Sequence, residues 1–390
     1  MHILYIGSFR LPNLDAAAPR VLNNAKVLRA LGHEVCFISW GGSYREEDYC
    51  DDGKYRVCGF EYQISGDLPS DNSIKHRVYC KMFRGLRSFY MLKAKPKPDL
   101  IILYNAENSF SSRMIKYCKR KDIKLANDIT EWYNNNELHL TDIIPNYINM
   151  VYTQNRVKNK IVISRFLDKY YSKSNNVRIP PLCDPEEVKW SYTIDDERVL
   201  PFDGVTLIYA GTPAKKDCVH SVINAVNTLA SEGKAIRFII LGATREAYMK
   251  QQGNEVRTTF LHENVIFLGR VSQDLIPAYY KKADFMVLLR EPNRKSMAGF
   301  PTKFAESMTA GVPVITNATS DLSQYVVNAK TGFLVRGYDY ESILDTLKNS
   351  VLILHKSDIN EMKTCVRNAN SAFDWHCRIA DFEKFIANLT

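Results

Sequence analysis

The sequence predicts an α/β protein made of two doubly wound domains that face a central cleft. The chain opens with a strand at 2–7, a helix at 20–31 and a second strand at 34–39, an order typical of a parallel sheet. A similar start recurs at 205–210, where a β-branched strand leads through a glycine-bearing turn into a helix at 217–232. Two such units in tandem place a cleft at the carboxyl ends of both sheets.

The remaining elements follow the same alternation of strand and helix. A proline-rich run at 178–184 interrupts the pattern, so we expect a first domain over 1–185 and a second over 186–370. Short apolar runs of the kind that a parallel sheet buries on both faces mark the further strands. These runs lie at 100–104, 124–128, 160–164, 237–241, 264–268, 285–289 and 312–316.

Composition and cysteine usage bound the class of protein. At 390 residues, with 45% hydrophobic and 24% charged residues, the chain has the make-up of a two-domain globular protein. Its nine cysteines show no CxxC pair and no metal-ligand spacing, which is typical of reduced thiols in the cytosol. The initial apolar run is too short for a signal peptide, and no run approaches the roughly 20 residues that cross a bilayer. We therefore expect a cytoplasmic protein that is soluble or lies on a membrane surface.

The net charge of +9 lies in the first half of the chain. Residues 1–185 carry 28 Lys and Arg against 19 Asp and Glu, whereas residues 186–390 carry 24 basic and 24 acidic residues. The stretch 75–97 holds eight bases and no acid, with apolar residues at largely helical spacing. This pattern is typical of an amphipathic helix on an anionic membrane, although a helix that packs inward with solvated bases looks the same. No recognition motif accompanies the charge, so nucleic-acid binding is not expected.

The segment 299–315 carries the strongest functional signal. It predicts a loop, a helix that starts at Pro301, a left-handed stop at Gly311 and a buried strand. Glu306 falls more than one turn inside this small, apolar helix, where a carboxylate is costly unless it finds donors. A ribose diol supplies two donors, and the helix start offers free N–H groups to a phosphate. The plain alternative is a surface carboxylate on an ordinary βαβ helix.

The motif G-F-P-T-K-x-x-E at 299–306 resembles the glutamate motif of family-4 retaining glycosyltransferases of GT-B fold. Further stretches that are similar to the family, in the same order, lie at 31–35, 161–164, 179–184, 209–217 and 264–269. The resemblance implies two Rossmann-like domains, an acceptor-side first and a nucleotide-sugar-binding second, with a last helix over 371–390 that crosses back to the first. It also implies that Glu306 holds the ribose of the nucleotide sugar, helped by the amides of Phe300 and Thr302 at the helix start.

Several positions depart from the family pattern. The first glutamate of the motif is replaced by Ala298, and an arginine of the second-domain phosphate loop by Thr212, which follows Gly211. The loop after the first strand carries alanines and Arg20 in place of paired glycines. We expect Gly211, Thr212 and Arg20 to lie at the nucleotide sugar, with Arg20 supplying charge.

Three bases are candidates to neutralise a diphosphate, whose negative charge grows as a glycosidic bond breaks. Lys216 matches the lysine that the family carries after its phosphate loop. Arg290 follows the predicted strand at 285–289 and would replace the missing arginine, while Lys303 stands in the first turn of the Glu306 helix. The alternative for each is a solvated surface base.

Two carboxylates of the first domain, Asp128 and Glu131, are candidate catalytic residues. They follow the predicted strand at 124–128, near the point where relatives place a polar residue facing the transferred sugar. Either one could orient the acceptor hydroxyl or contact the donor sugar. The alternative is a turn beside a packed Trp132.

Neither a metal nor a cofactor is expected. The chain has no Asp-x-Asp and no His, Cys and carboxylate cluster with ligand spacing. No G-x-G-x-x-G follows the first strand, which argues against a dinucleotide enzyme. Bases and a helix start would neutralise the leaving group instead.

We therefore expect a retaining glycosyltransferase that moves a hexose from a nucleotide-diphosphate sugar to a hydroxyl acceptor. The resemblance implies a lipid-linked precursor of a bacterial surface polysaccharide as acceptor, and a peripheral position at the inner face of the plasma membrane. One alternative is a catalytically silent GT-B subunit that binds a nucleotide sugar or glycan. A second is a GT-B epimerase or sugar-nucleotide hydrolase.

Overall fold

The computed structural model describes residues 1–68, 83–138, 140–213, 215–252 and 261–390. Its internal contacts divide the chain into two compact units. Unit 1 comprises Met1–Cys183, Ala298–Phe300 and Trp375–Thr390, and unit 2 comprises Asp184–Met297 and Pro301–Asp374.

Each unit is built on one sheet, and helices connect the strands. The strands of unit 1 are β1 (His2–Leu11), β2 (Glu34–Gly42), β3 (Arg56–Val57), β4 (Phe60–Ile64), β5 (Leu100–Tyr104), β6 (Lys124–Ile129), β7 (Asn159–Val162) and β8 (Asn175–Arg178). Those of unit 2 are β9 (Val205–Ala210), β10 (Ile236–Leu241), β11 (Val265–Gly269), β12 (Phe285–Leu288), β13 (Val314–Asn317) and β14 (Gly332–Val335).

The described α-helices complete the alternation. They are α1 (Ala17–Ala30), α2 (Leu86–Lys93), α3 (Asn108–Lys121), α4 (Leu140–Ile148), α5 (Arg165–Tyr170), α6 (Val219–Ser231), α7 (Arg245–Gln252), α8 (Ile276–Lys281), α9 (Arg294–Ala298), α10 (Thr302–Thr309), α11 (Tyr340–Thr346), α12 (Lys356–Ala369) and α13 (Ile379–Ala387). None of the helices in the described ranges is long and apolar enough to cross a membrane.

The sheet of unit 1 has the strand order β3-β4-β2-β1-β5-β6-β7-β8, and its pairs are parallel except β3 with β4. Alternate residues of β1 enter different cores: Ile3 and Tyr5 pack on one face, and Leu4 and Ile6 on the other. Because both faces are covered, the central strands are continuous apolar runs, as a parallel sheet requires. Helix α13 packs into the first of these cores through Phe382 and Phe385, among others.

The sheet of unit 2 is fully parallel, with the order β11-β10-β9-β12-β13-β14. The chain first runs outward from β9 to β10 and β11, then returns to place β12 on the other side of β9. The gap between the carboxyl ends of β9 and β12 is therefore a topological switch point, where open α/β sheets bind their ligands. The predicted α/β class with two parallel-sheet domains is confirmed.

Several element bounds differ from the predictions for local reasons. Helix α1 begins at Ala17 rather than 20, because the Asp15 carboxylate accepts from the amides of Ala17 and Ala18 at 3.1 and 3.0 Å. Strands β3, β4, β8 and β14 were not predicted, since they are short and lie beside turns. The last helix is shorter than predicted because 3₁₀ turns, including Trp375–Arg378, precede it.

The basic stretch at 75–97 is covered only in part, and residues 75–82 lie outside the described ranges. Its described remainder forms α2, whose Phe89 and Leu92 are buried in the core of unit 1. Tyr90 on the same helix is 61% exposed. Part of the apolar stripe therefore packs inward, while membrane contact stays a prediction.

Candidate functional site

The carboxyl edge of the unit 2 sheet gathers several of the predicted donor-site residues. Strand β9 runs directly into Gly211 and Thr212, and Arg290 stands two residues beyond the end of β12. Asn317, at the end of β13, fixes the Arg290 backbone: its side chain accepts from the Arg290 N–H at 3.0 Å and donates to the Arg290 carbonyl at 2.7 Å. Neighbouring strand ends thus hold Arg290 at the switch point.

A buried carboxylate joins two of the predicted bases. Arg290 donates through Nε to Asp217 Oδ1 at 2.9 Å, and Lys303 donates through Nζ to Asp217 Oδ2 at 2.9 Å. The Tyr209 hydroxyl donates to the same oxygen at 2.6 Å and accepts from Lys303 at 2.6 Å. The Asp217 side chain is fully buried, whereas those of Arg290 and Lys303 keep 15% and 21% of their surface exposed. This cluster of Asp217, Tyr209, Arg290 and Lys303 is called the Asp217 cluster below.

Charge and burial act in opposite directions within the Asp217 cluster. Burial favours the protonated acid, but the cations of Lys303 and Arg290 and the Tyr209 hydroxyl more than offset it, so the pKa of Asp217 is held well below its usual range. Burial lowers the pKa of Lys303, Asp217 opposes that shift, and Arg290 and Lys216 add to it. Burial, then Asp217, raises the pKa of Tyr209. The cluster therefore keeps an ionised acid between two bases.

Gly211 lets the backbone approach this cluster closely. Its φ of +139° is rare for residues with a side chain, and a Cβ there would lie 2.5 Å from Lys303 Nζ. The ammonium of Lys303 also lies 4.1 Å from the centre of the Tyr209 ring. A glycine at 211 is thus needed for Lys303 to reach Asp217 in this arrangement.

Glu306 occupies the fifth position of α10 and is half-buried. Its neighbours Phe304, Ala305 and Met308 pack into the core, as the sequence predicts. Burial raises the pKa of Glu306, and Lys189 and Lys303 nearby oppose the shift. Among the described residues, no group donates a hydrogen bond to its carboxylate. The role of Glu306 at a ribose stays a prediction.

The start of α10 has no side-chain cap. The helix begins at Thr302 rather than at Pro301, which serves as the N-cap residue and provides no side-chain hydrogen bond. Gly311, just past the helix end, adopts the predicted left-handed conformation with φ of +76°. Thr302 is half-buried and Phe300 is buried; contacts assign Phe300 to unit 1.

Lys216 and Thr212 are exposed beside the same loop. Lys216 stands next to Asp217 in a 3₁₀ turn, Lys215–Asp217, and its charge acts on Lys303. Two predicted bases, Arg290 and Lys303, thus contact one acid that the sequence analysis did not single out. A sequence signal existed, since Asp217 directly follows Lys216, but its two partners lie 73 and 86 residues away.

In unit 1 the structure gives Arg20 and Asp128 partners that differ from the predicted ligands. Arg20 forms a bidentate pair with Asp128, with Nη2 2.7 Å from Oδ1, and both side chains are buried. Tyr5 donates to Asp128 at 2.5 Å and Asn24 at 3.2 Å. Arg20 also donates to the Ile179 carbonyl at 3.0 Å. This pair links α1 to β6 and to the loop at 179–182, and the predicted roles of both residues at a ligand stay predictions.

Glu131 differs from Asp128 in its surroundings. It is half-buried, and no hydrogen bond to its carboxylate is found in the described ranges. Trp132 beside it is buried and packs edge-on against Tyr170, with ring centres 4.6 Å apart. Of the two carboxylates that the sequence left open, Glu131 is thus the one that is partly exposed, and its role stays a prediction.

The described part of the chain shows no metal-binding geometry. No group of three or more His, Cys, Asp or Glu side chains there could hold an ion. Metal independence stays a prediction, because it concerns the reaction rather than this arrangement.

Comparison with known proteins adds to this geometry. The family model "Glycosyl transferases group 1" matches residues 193–369, less than half of the chain. The curated relative "Capsular polysaccharide biosynthesis glycosyltransferase CapM" of Staphylococcus aureus is 21% identical over 202 residues, 50% of each chain. The match therefore spans about half the length of that relative.

Solved structures are similar over almost the whole chain. Sucrose-phosphate synthase from Thermosynechococcus elongatus has a TM-score of 0.75 at 15% identity and covers 99% of this chain and 98% of its own. Anabaena HepE in complex with UDP and glucose has a TM-score of 0.71 at 14% identity over 100% of both chains. The fold is GT-B. The GT-B enzyme WaaG, a glycosyltransferase involved in lipopolysaccharide biosynthesis, has a TM-score of 0.65 at 13% identity over 99% of both chains. At these identities the likeness establishes the fold alone, and the family-4 assignment stays a prediction.

Proposed function

We propose that this protein is a glycosyltransferase that moves a sugar, expected to be a hexose, from a nucleotide-diphosphate sugar to a hydroxyl acceptor. The single observation that carries the proposal is the half-buried Glu306, whose carboxylate has no donor among the described residues and a pKa raised by burial. It lies on the same short helix as Lys303, a base of the Asp217 cluster. One helix thus offers an acceptor for a ribose and a cation for a diphosphate.

The donor would bind to unit 2 through its nucleotide part. Glu306 accepts from the ribose diol, and the first amides of α10 donate to phosphate oxygens. Arg290, Lys303 and Lys216 bring positive charge to the diphosphate. The match of residues 193–369 to the glycosyl transferases group 1 model supports this assignment, as do the structures of HepE with UDP and with UDP-glucose.

The reaction needs charge stabilisation more than a protein nucleophile. As the bond between the sugar C1 and the phosphate oxygen breaks, the leaving diphosphate gains negative charge that the bases neutralise. The acceptor oxygen forms the new bond to C1 on the same face and passes its proton to the departing phosphate. This retaining course requires no carboxylate at the position of the first motif glutamate, so Ala298 at that position is compatible with it. An inverted anomeric configuration in the product, measured by NMR, would contradict it.

The acceptor proposal rests on the comparisons and on unit 1. The names of CapM and WaaG place those proteins in capsular polysaccharide and lipopolysaccharide biosynthesis. We therefore propose a lipid-linked glycan precursor, with Glu131 as the unit 1 carboxylate at the acceptor or transferred sugar. Helix α4 supports a peripheral membrane position, since Leu140 and Ile144 are 82% and 68% exposed.

A catalytically silent subunit is the second candidate. Ala298 and Thr212 remove two groups that the resembled family uses at its sugar and diphosphate. Such a subunit would bind a nucleotide sugar without turning it over. Sequence departures at these two positions favour this alternative, whereas the intact bases and Glu306 favour an enzyme.

Release of nucleoside diphosphate from UDP-, GDP- and ADP-sugars, with and without lipid-linked acceptor, tests the proposal. We expect release that depends on acceptor and is lost in Glu306→Gln, while Glu341→Gln, an exposed carboxylate in unit 2, keeps the wild-type rate. Release without any acceptor would identify a hydrolase. Binding of a nucleotide sugar with no turnover of any acceptor would support the silent subunit.

A further inference from the structure

Asp217 is the most completely engaged charged residue at the proposed donor site. Its side chain has no exposed surface, one oxygen accepts from Arg290, and the other accepts from Lys303 and Tyr209. A carboxylate with both oxygens used in this way cannot act as an acid or base on a substrate. It can, however, determine where its two cationic partners lie.

Both partners keep donors for a ligand. A guanidinium has five N–H groups, and only Nε of Arg290 makes a side-chain hydrogen bond within the described ranges. Lys303 has three N–H groups and gives two of them to Asp217 and Tyr209. Asp217 therefore holds each base by part of its donor set and leaves the rest, on partly exposed side chains, for another anion.

Charge balance supports the same conclusion. Arg290 and Lys303 both contact Asp217. The charges of Arg290 and Lys216 act on Lys303, and neighbouring cations repel one another unless an anion lies between them. Asp217 supplies that anion when no ligand is bound. The two cations that contact this one carboxylate leave the Asp217 cluster with an excess of positive charge, and we expect it to favour a diphosphate over a single phosphate.

We propose that Asp217 is a positioning residue that holds Arg290 and Lys303 as one diphosphate-binding pair. This inference rests on the proposed function, because it specifies which part of the nucleotide the Asp217 cluster recognises. It separates the two halves of the donor site: Glu306 recognises ribose, and the Asp217 cluster distinguishes a diphosphate from a monophosphate.

The test compares nucleotide pairs that differ by one phosphate. Dissociation constants of UDP and UMP, GDP and GMP, and ADP and AMP are measured by calorimetry for the full-length wild type and Asp217→Asn. We expect the affinity of the variant for diphosphates to fall about tenfold or more, because charge-assisted contacts are lost. Its affinity for monophosphates should change less than about threefold. Equal losses for both nucleotides, or none, would overturn the inference.

A matched control exists in unit 2. Asp284 is also buried, accepts from Lys356 at 2.8 Å, lies 3.7 Å from Lys363 and accepts from the Thr206 amide at 2.8 Å. Asp284→Asn therefore removes a comparable buried acid between two lysines away from the Asp217 cluster. We expect it to keep the wild-type ratio of diphosphate to monophosphate affinity. The same fall in this ratio in both variants would show a merely structural role for Asp217.

Two further measurements keep the inference testable. Tyr209→Phe removes the hydroxyl that contacts both Asp217 and Lys303 and is a milder change if Asp217→Asn does not fold; it should lower the same ratio. Because Asp217 opposes the burial that lowers the pKa of Lys303, the alkaline limb of the kcat/KM profile should move to lower pH in Asp217→Asn. An unmoved limb together with an unchanged ratio would overturn the inference. A wild type that binds no nucleotide would overturn the proposed function itself.

Discussion

The guanidinium of Arg20 and the carboxylate of Asp128 form a buried bidentate ion pair, with Nη2 and Oδ1 2.7 Å apart, although the two residues are 108 positions apart in sequence. The pair links the first helix of unit 1 to strand β6, and Arg20 also donates to the Ile179 carbonyl. In this structure the buried pair of Arg20 and Asp128 holds elements of unit 1 together rather than facing a ligand.

Removal of Arg20 should therefore destabilise the protein strongly. In Arg20→Met, Asp128 stays buried without its cation, and we expect a loss of about 3–5 kcal/mol in the free energy of unfolding. Urea unfolding followed by tryptophan fluorescence measures it. Arg56→Ala breaks an exposed ion pair with Asp52, so we expect it to lower the unfolding midpoint far less than Arg20→Met does. A similar small loss for both variants would contradict the structural role of Arg20.

Lys160 is buried in β7 and contacts no carboxylate of the described ranges, which leads to a prediction about pH. It donates to the Val157 carbonyl and to Ser174 Oγ, and burial lowers its pKa from 10.5 to about 8. Because the unfolded chain binds this proton more tightly, stability rises with pH between about 8 and 10.5. Relative to Lys160→Met, we expect the wild type to gain about 2 kcal/mol between pH 7.5 and 9.5 in urea unfolding. A difference that does not change with pH would refute this.

Gly211 should be more important for donor binding than for folding. In Gly211→Ala the new Cβ would lie 2.5 Å from Lys303 Nζ, so the end of the Lys303 side chain must shift from its present place beside Asp217. We expect donor affinity to fall about tenfold or more with a loss of about 1–3 kcal/mol in stability. Gly233→Ala is the matched control, since Gly233 has a φ of +77° and a Cβ added there would meet no atom within 4 Å. Gly233→Ala should lose a similar amount of unfolding free energy through backbone strain, and it should keep the wild-type affinity for the donor.

The exposed apolar residues of α4 lead to a prediction about binding to a membrane surface. Leu140 and Ile144 are exposed there, and the adjoining helix α3 carries five bases and no acid. Substitution of both residues by serine should weaken sedimentation with anionic vesicles by about tenfold or more, because each buried apolar side chain contributes about 1.5–3 kcal/mol. Ile353→Ser, which changes a 67% exposed side chain of unit 2, is the control. Equal binding by the double variant and the control would contradict the prediction.

The sequence was sufficient for the parts of the fold that rest on local patterns. Buried β-branched runs predicted β9, β12 and β13, and small apolar neighbours predicted that Glu306 lies on a packed helix. Short strands at sheet edges, such as β3, gave too few residues for a pattern.

Pairings between residues far apart in the sequence could not be predicted, for a physical reason. Nothing local distinguishes a carboxylate that binds a distant arginine from one that faces a substrate. Asp128 was one of two catalytic candidates because it ends a predicted strand, and its pairing with Arg20, 108 positions away, was not visible. Asp217 was missed because Arg290 and Lys303 are 73 and 86 positions away. The bases themselves were identified, since their positions after strand ends are visible in sequence.

Thermal unfolding with nucleotides tests the central claim, a nucleotide-sugar site built on Glu306, most directly. The wild type and Glu306→Ala are heated with UDP, GDP, ADP, CMP and the corresponding nucleotide sugars. A ligand at about 100 times its dissociation constant adds ~2.7 kcal/mol, so we expect one nucleotide to raise the wild-type midpoint by a few degrees. That shift should disappear in Glu306→Ala. A shift of equal size in the variant, or no shift from any nucleotide, would contradict the account.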